Sequence, residues 1–282
     1  MENGSYQFIS NLDYHSGPGY SRSDLETIRK HSLSHYHAKK GQADEPTPAQ
    51  EFGTAFHQLI LEPELFYKYN ISEESAPVKP KFGRTKLELV AKEEWENRVY
   101  NPWLNENEGK KVWKEDLWAK LHDMRVSIYK NTIMKKILED SETKKEISYY
   151  WNENDTLLKC RPDIFYPKMG LIMDLKTAHN CNYTQFRKDL VNFCYDVQAA
   201  FYTDLVSKVE GTNKVSFVFA CIEKDAPYAV ALYKLDDASI EVGRELYKKA
   251  LDKINNPEDN EDYPSFIQEI NLAAYGFDVE AR

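Results

Sequence analysis

The sequence predicts an α/β fold with a helical amino-terminal portion. Apolar residues recur at helical spacing up to about residue 138, and short apolar runs bounded by turn signals follow. The 41% hydrophobic content of the 282 residues is enough for a large core. We therefore expect residues 1–20 to form an amino-terminal arm and residues 21–282 to form a single domain.

The helical portion is predicted from capping residues and apolar spacing. The stretch "SRSDLETIRKHSLSHYHAKK" predicts a helix that Ser21 or Ser23 caps. The stretch "PTPAQEFGTAFHQLILEPELF" predicts a second helix, which ends near Pro63 because proline interrupts helical hydrogen bonding. A loop over residues 72–83 separates these helices from helical spacing at 87–100 and 113–138.

After residue 145 the spacing of apolar residues changes to that of strands. Five short strands are predicted, at 146–151, 156–166, 171–176, 215–222 and 228–235. A helix over about 183–209 separates the third strand from the fourth, and a last helix over 237–255 precedes an acidic tail. This order of elements is typical of an α/β domain.

Composition excludes some classes of protein and leaves others open. No run of eighteen apolar residues is present and the amino terminus lacks the pattern of a signal peptide, so we expect a cytoplasmic protein with no membrane partner. Four cysteines show no paired spacing, so we expect them to be reduced packing residues. The net charge of -9 argues against nonspecific coating of nucleic acid, but a nuclease can carry a local basic groove.

An aspartate and a lysine interrupt the apolar run of "GLIMDLKTAHN". Asp174 and Lys176 project from the same face of the predicted strand, because side chains alternate with period two. A turn centred after Lys168 would place Asp163 opposite Asp174 and Arg161 opposite Lys176. The alternative is a surface ion pair at the end of a strand in an unrelated α/β protein.

A second hairpin adds a third acid to this group. A two-residue turn at Asn154–Asp155 would place Glu146 opposite Asp163. A slip of one residue would move any of these side chains to the other face, so the grouping depends on the register. Three carboxylates beside a lysine favour metal-assisted hydrolysis of a phosphodiester, with Mg²⁺ on hard oxygen ligands. Lys176 would orient the attacking water or neutralise charge on the phosphate.

The pattern "RPD" followed by "MDLK" resembles the signature of the PD-(D/E)XK nuclease superfamily. The stretches "GTAFHQLILEPELF", "KCRPD", "DLKTA" and "YDVQAAFYTDLV" occur in the same order as in the phage exodeoxyribonuclease VIII (RecE-type) exonucleases. The resemblance covers roughly residues 20 to 235. It implies a restriction-endonuclease-like core, in which a mixed sheet is flanked by helices. One departure is "HSLSHYH", which predicts that the first helix continues further than in many relatives.

The resemblance also implies roles for individual residues. The implied metal ligands are His57, Asp163, Asp174 and the main-chain carbonyl of Leu175. The implied catalytic residues are Lys176, Asp163, Asp174, Glu146 and Gln198, and we expect Arg161 and Tyr202 to contact DNA. Gln198 and Tyr202 are four residues apart and so share a helix face. The alternatives are a core histidine at position 57, a packed glutamine at 198 and a solvated glutamate at 146.

The function that the resemblance implies is degradation of one strand of linear duplex DNA. The enzyme would use Mg²⁺, with Mn²⁺ as a substitute, and would proceed from the 5′ end to leave a 3′ overhang. Its partners would be double-stranded DNA ends, a single-strand annealing protein of phage recombination, and further copies of the chain in a homo-oligomeric ring. The protein would act in the cytoplasm of a bacterial host of the phage or prophage. The alternatives are a nuclease of the same fold with another polarity, an endonuclease, and a catalytically silent DNA-end-binding protein.

Overall fold

The computed structural model describes residues 1–41 and 45–256. The α-helices within these ranges are α1 (Asn11–Ser16), α2 (Arg22–Lys30), α3 (Leu33–Lys39), α4 (Pro48–Leu61), α5 (Pro63–Tyr69), α6 (Lys86–Trp95), α7 (Asn101–Glu106), α8 (Glu115–Lys130), α9 (Thr132–Glu139), α10 (Tyr183–Asn192), α11 (Tyr195–Glu210) and α12 (Asp237–Asn255). No helix in these ranges is both long and apolar enough to cross a membrane. The predicted acidic tail lies outside the described residues.

The strands form three sheets. They are β1 (Gly4–Tyr6), β2 (Asn70–Ser72), β3 (Lys111–Trp113), β4 (Lys144–Lys145), β5 (Ser148–Glu153), β6 (Thr156–Cys160), β7 (Ile164–Tyr166), β8 (Leu171–Ala178), β9 (Ser216–Glu223) and β10 (Val230–Lys234). The largest sheet has the order β10-β9-β8-β7-β4, and the smaller ones have the orders β1-β5-β6 and β2-β3. In the largest sheet β8 and β9 are parallel and the other pairs are antiparallel, so the sheet is mixed as predicted.

Helices cover both faces of this mixed sheet. Alternate residues of β8 and β9 enter two separate hydrophobic clusters, as the period of a strand requires. Ile172 and Phe219 pack with residues of α2, α11 and α12, whereas Met173 and Leu175 pack with residues of α4, α8 and α9. Asp174 and Lys176 lie at even positions with Ile172, so they belong to the face that α11 covers.

The register of both predicted hairpins is confirmed where the strands pair, but β7 and β8 stop pairing at Ile164–Met173, before the predicted Asp163–Asp174 and Arg161–Lys176 pairs. Strands β7 and β8 pair Ile164 with Met173, the pairing that a turn after Lys168 requires. Strands β5 and β6 pair Tyr149 with Cys160, as the turn at 154–155 predicts. The same numbering continues into the pairing of β4 with β7, where Lys145 faces Ile164. One long hairpin therefore passes from the three-stranded sheet into the mixed sheet.

Three predicted helices are each interrupted. The predicted helix over 21–40 breaks at His31, and the Ser32 hydroxyl accepts a hydrogen bond from the His35 N–H to begin α3. Asn131 caps α9 in the same way and so divides the helix predicted over 113–138. The helix predicted over 183–209 breaks at Cys194, where φ is +50°. A capping side chain within a helical pattern permits either a continuous helix or the start of a new one. At Ser32 and at Asn131 a new helix begins.

Two further predictions were wrong in detail. The polar stretch after Tyr100 does not interrupt the helical region at once, because a π-helical turn over Glu96–Tyr100 leads into α7. Cys181 and Cys221 form a disulfide across a sequence separation of 40, with Cα atoms 5.9 Å apart. The prediction that all four cysteines are reduced packing residues therefore holds only for the free and buried Cys160 and Cys194.

Gly170 ends the turn between β7 and β8, and substitutions there measure how tightly the neighbouring main chain packs against this turn. Its φ is +56°, and a β-carbon there would overlap the carbonyl oxygen of Lys214. Gly211 has a similar φ of +65° with no atom within 4 Å of such a β-carbon. We expect Gly170→Ala to lower the free energy of unfolding by about 3 kcal/mol and Gly211→Ala by about 1 kcal/mol in urea denaturation. Equal losses would show that the packing at Lys214 is unimportant.

Candidate metal centre and active site

The side chains of three polar residues from separate elements lie close together near β8. His57 lies on α4, Asp163 immediately precedes β7, and Glu146 lies between β4 and β5. One ligand atom from each of them lies within 4.8 Å of the other two. The Glu146 N–H donates a 3.1 Å hydrogen bond to the Asp163 carbonyl, so the long hairpin fixes these two residues opposite each other. Glu146 has a φ of +51°, an uncommon value for a residue other than glycine.

Strand β8 supplies a second group of polar atoms. Lys176 Nζ lies 2.6 Å from Asp174 Oδ2 and forms an ion pair with it. This buried oxygen accepts no hydrogen bond within the described residues. Gln198 on α11 joins the two residues. Its Nε2 donates to Asp174 Oδ1 at 2.5 Å, and its Oε1 accepts from Lys176 Nζ at 3.1 Å. Asp174 is only 2% exposed, so its charge depends on these neighbours.

Asp163 connects the two groups. Its Oδ2 accepts a 2.7 Å hydrogen bond from the Leu175 N–H and lies 3.4 Å from His57 Nδ1. The N–H and carbonyl of one residue in a strand point to the same side, so the Leu175 carbonyl is directed toward Asp163 as well. The pairing of β7 with β8 ends at Met173, before this position. The resemblance implies the Leu175 carbonyl as a metal ligand, and this stays a prediction that the direction of the Leu175 N–H supports.

The pKa values of these residues are shifted because charged groups lie close together without a metal cation. Burial and the charge of Asp163 raise the pKa of Glu146 to about 8. Burial lowers the pKa of His57, but the carboxylate of Asp163 opposes it more strongly and brings that pKa to about 9. Burial also raises the pKa of Asp174, against the opposing effect of Lys176. Burial raises the pKa of Asp163, but the charge of His57 outweighs it and lowers that pKa. Without metal, the raised pKa values of Glu146 and His57 favour a proton on each of them, while Asp163 stays ionised beside the His57 imidazolium.

This donor set fits a divalent cation. Carboxylate oxygens and a main-chain carbonyl are ligands that Mg²⁺ and Mn²⁺ prefer in proteins, whereas the one imidazole is a ligand more typical of softer divalent metals. His57, Glu146 and Asp163 already lie together, the Leu175 N–H donates to Asp163, and the charge of Asp163 acts on the nearby Asp174. A divalent cation would compensate the like charges that otherwise retain protons. His57 and Glu146 are both partly exposed, and their roles as metal ligands stay predictions.

Two predicted DNA-contacting residues lie in less accessible positions. All three donor nitrogens of the Arg161 guanidinium are engaged, by Ser148 Oγ at 2.8 Å, Asn11 Oδ1 at 2.8 Å and the Ile9 carbonyl at 2.9 Å. The Tyr202 ring packs against the core and contacts the Phe217 ring edge-on. Neither position favours a direct DNA contact, and for both residues that contact stays a prediction.

Sequence reasoning missed one aromatic member of the site. Lys176 Nζ lies 4.6 Å from the centroid of the Tyr195 ring, in a cation–π contact. Tyr195 precedes Gln198 by three residues on α11, so both face Lys176 from one side of the helix. That spacing is visible in "YDVQAAFY", but the sequence alone could not show that the helix begins at Tyr195.

A known family matches most of the chain. The family described as "PDDEXK-like domain of unknown function (DUF3799)" matches residues 21–273. The chain belongs to this family. No curated protein matches the chain closely enough to be a recognisable relative. The PDDEXK-like assignment agrees with the order of Asp163, Asp174 and Lys176 around the mixed sheet.

Solved structures are similar to this PDDEXK-like domain in fold. A "Putative exonuclease" from Eubacterium rectale aligns over 96% of this chain and 98% of its own, with 12% identity and a TM-score of 0.56. A phage related exonuclease from Haemophilus somnus 129PT aligns over 64% of this chain and 90% of its own, with 11% identity and a TM-score of 0.30, which is too low to argue from. The family and the first structure confirm the predicted restriction-endonuclease-like fold, and together they support a nuclease.

Gln198 offers a test of how the polar groups of β8 are held. We expect Gln198→Ala to lower kcat of DNA hydrolysis about 10- to 100-fold with little change in KM, because Lys176 and Asp174 lose the side chain that orients both. Ser207→Ala is the matched control, because Ser207 lies on the same helix but nine residues, and so about 13 Å along the axis, from Gln198; we expect it to keep the kcat of the wild type. Steady-state rates on linear duplex DNA measure both variants. A kcat unchanged in Gln198→Ala would show that Lys176 is positioned without it.

Proposed function

We propose that this PDDEXK-like domain is a metal-dependent exodeoxyribonuclease. It would hydrolyse phosphodiester bonds of linear duplex DNA from the 5′ end and leave 3′ single-stranded overhangs. The observation that carries the proposal is the grouping of His57, Glu146 and Asp163 beside the Asp174–Lys176 pair. The name of the Eubacterium rectale protein supports an exonuclease among the nucleases of this fold.

Each side chain has a defined part in this proposal. His57, Glu146, Asp163, Asp174 and the Leu175 carbonyl would hold Mg²⁺, or Mn²⁺ in its place. A metal ion bound there supplies an activated water and stabilises negative charge on the phosphate. Lys176 would orient the attacking water and donate to a phosphate oxygen, since its ammonium is held at the edge of the carboxylate group. Gln198 would fix the position of Lys176.

The wider setting of the enzyme is also part of the proposal. The RecE-type resemblance supports a role in strand annealing, with a single-strand annealing protein as partner and a homo-oligomeric ring around DNA in a phage or prophage setting. We also propose that residues 1–20 form an arm on a single domain of residues 21–282. The pairing of β1 with β5 and the hydrogen bonds of Arg161 to Ile9 and Asn11 support an arm that is attached to the domain.

End-labelled DNA tests the activity and its polarity. Linear duplex DNA carrying a label at the 5′ or the 3′ end is incubated with Mg²⁺ or with EDTA, beside a covalently closed circle. We expect early release of the 5′ label in Mg²⁺ only, with the circle intact. Early release of the 3′ label or cleavage of the circle would replace the proposed polarity or the exonuclease mode. No release under any condition would favour a DNA-end-binding protein instead.

A further inference from the structure

A cavity of about 400 Å³ borders Lys176. It is lined by the end of β8, by α10 and by the segment between α10 and α11, including His179, Phe193, Tyr195 and Lys224. Because Lys176 belongs both to this cavity and to the carboxylate group, whatever occupies the cavity lies next to the reacting phosphate. The cavity is therefore a place for the nucleotide that adjoins the scissile bond.

Phe193 presents an aromatic surface beside this cavity. It is 56% exposed, an unusual position for a phenylalanine next to a polar site. Its ring stacks on Tyr195 with centroids 5.6 Å apart and planes at 28°, and Tyr195 stacks on Phe219 at 5.3 Å and 30°. Phe193 is thus the outermost ring of a stack that passes Lys176. A nucleobase could extend the stack by one more ring.

Hydrogen bonds from a separate helix fix the main chain at Phe193. The Arg22 guanidinium of α2 donates to the carbonyl of Phe193, and to that of Cys194 at 2.8 Å. The Cys194 N–H also donates to the Val191 carbonyl at 3.3 Å. These bonds hold the exposed ring in place, so a ligand that stacks on it would lose little entropy in ordering the protein.

A second cavity of about 420 Å³ borders some of the same residues as the first. The two share His179 and Lys224. Apolar side chains line much of the second cavity, together with three further lysines, Lys111, Lys114 and Lys120. Lys111 pairs with Glu51 and Lys120 pairs with Asp225, but within the described residues Lys114 and Lys224 have no ion-pair partner. In a chain of net charge -9, this is a local concentration of positive charge.

We propose that the two cavities form one path for a single strand of DNA. The base next to the scissile phosphate stacks on Phe193, and the following phosphates lie against Lys224 and Lys114. The occupant is a single strand because its base faces are open to an aromatic ring and an apolar floor, whereas those of a duplex are already stacked. This inference rests on the proposed nuclease function and adds the route of the substrate strand.

Binding of labelled oligothymidine in EDTA tests the path without cleavage. We expect Phe193→Leu to weaken binding in fluorescence anisotropy about tenfold, as the loss of one base–aromatic stack does. We expect Phe193→Trp, which keeps an aromatic ring at this position, to bind with the affinity of the wild type. Val191→Ala is the matched control, because Val191 is 71% exposed on α10 and does not line the cavity. We expect it to bind like the wild type.

The lysines are tested through the salt dependence of the same binding. The double variant Lys114→Gln and Lys224→Gln should reduce the slope of log affinity against log salt by about 1.4, since each phosphate contact to a single strand contributes about 0.7. Lys248→Gln on α12, which lines neither cavity, should not change the slope.

The outcomes separate the path from the nuclease activity. Loss of affinity in the Phe193 and lysine variants supports the path, whether or not the wild type hydrolyses DNA. Wild-type hydrolysis with oligothymidine affinities unaffected by these variants would overturn the path and leave the proposed function standing. Absence of oligothymidine binding by the wild-type protein would overturn the path as well.

Discussion

The Lys176→Ala variant is expected to hydrolyse DNA about 10²- to 10³-fold more slowly than the wild type in Mg²⁺. The Lys176 ammonium lies 2.6 Å from Asp174, the carboxylate of β8, and forms an ion pair with it. Its removal takes away the donor proposed to act on the phosphate. Initial rates with end-labelled linear duplex measure the loss.

Controls must separate this chemical effect from unfolding. Alanine at 176 leaves Asp174 buried without its cation, which is itself destabilising. Lys176→Met removes the same cation but keeps the length and apolar stem of the side chain, so it limits the change to the charge, and circular dichroism and DNA binding in EDTA measure whether the variant is folded and competent to bind. A Lys176→Met protein that is folded, binds DNA and hydrolyses it at the wild-type rate would remove Lys176 from the mechanism.

The Glu146→Gln variant is expected to be more stable than the wild type without metal and to lose stabilisation by metal. The pKa of Glu146 is about 8 in the folded protein, above its ordinary value of 4.5. Between these two pH values the unfolded chain has released a proton that the folded chain retains, so the stability of the metal-free wild type falls as pH rises. Glutamine carries no charge and removes this dependence.

Thermal unfolding in EDTA and in Mg²⁺ measures both parts of this prediction. At pH 8 in EDTA the Glu146→Gln variant should unfold at a higher temperature than the wild type. A ligand at 100 times its Kd stabilises a folded protein by about 2.7 kcal/mol, and we expect Mg²⁺ to give that increase to the wild type and little to the variant. An equal effect of Mg²⁺ on both proteins would place the ion away from Glu146.

The hairpin registers could be predicted from the sequence because local turn chemistry determines them. The turns at 154–155 and after Lys168 set which residues face each other, and this is enough to predict that Glu146, Asp163 and Asp174 lie together. The contribution of His57 came from the resemblance, since nothing local to α4 indicates that this helix lies against β8. A contact between elements distant in the chain has no signature in either element alone.

Other features depended on tertiary contacts that single-sequence patterns do not contain. The breaks before α3 and α11 follow from caps and a left-handed residue whose use is decided by packing. The disulfide between Cys181 and Cys221 joins the segment after β8 to β9, and these two strands pair in parallel across α10 and α11, a pairing that no local turn determines. Strand β3 is three residues long and exists by pairing with β2.

The most direct test of the central claim is to locate a bound metal ion. Crystals of the wild-type protein grown with Mn²⁺ and measured at the manganese absorption edge give an anomalous difference map that shows the ion without reference to activity. The account predicts a peak between His57, Glu146 and Asp163, next to Asp174, and its absence in crystals of Asp163→Asn. A peak elsewhere, or none in the wild type at a Mn²⁺ concentration that supports hydrolysis, would contradict it.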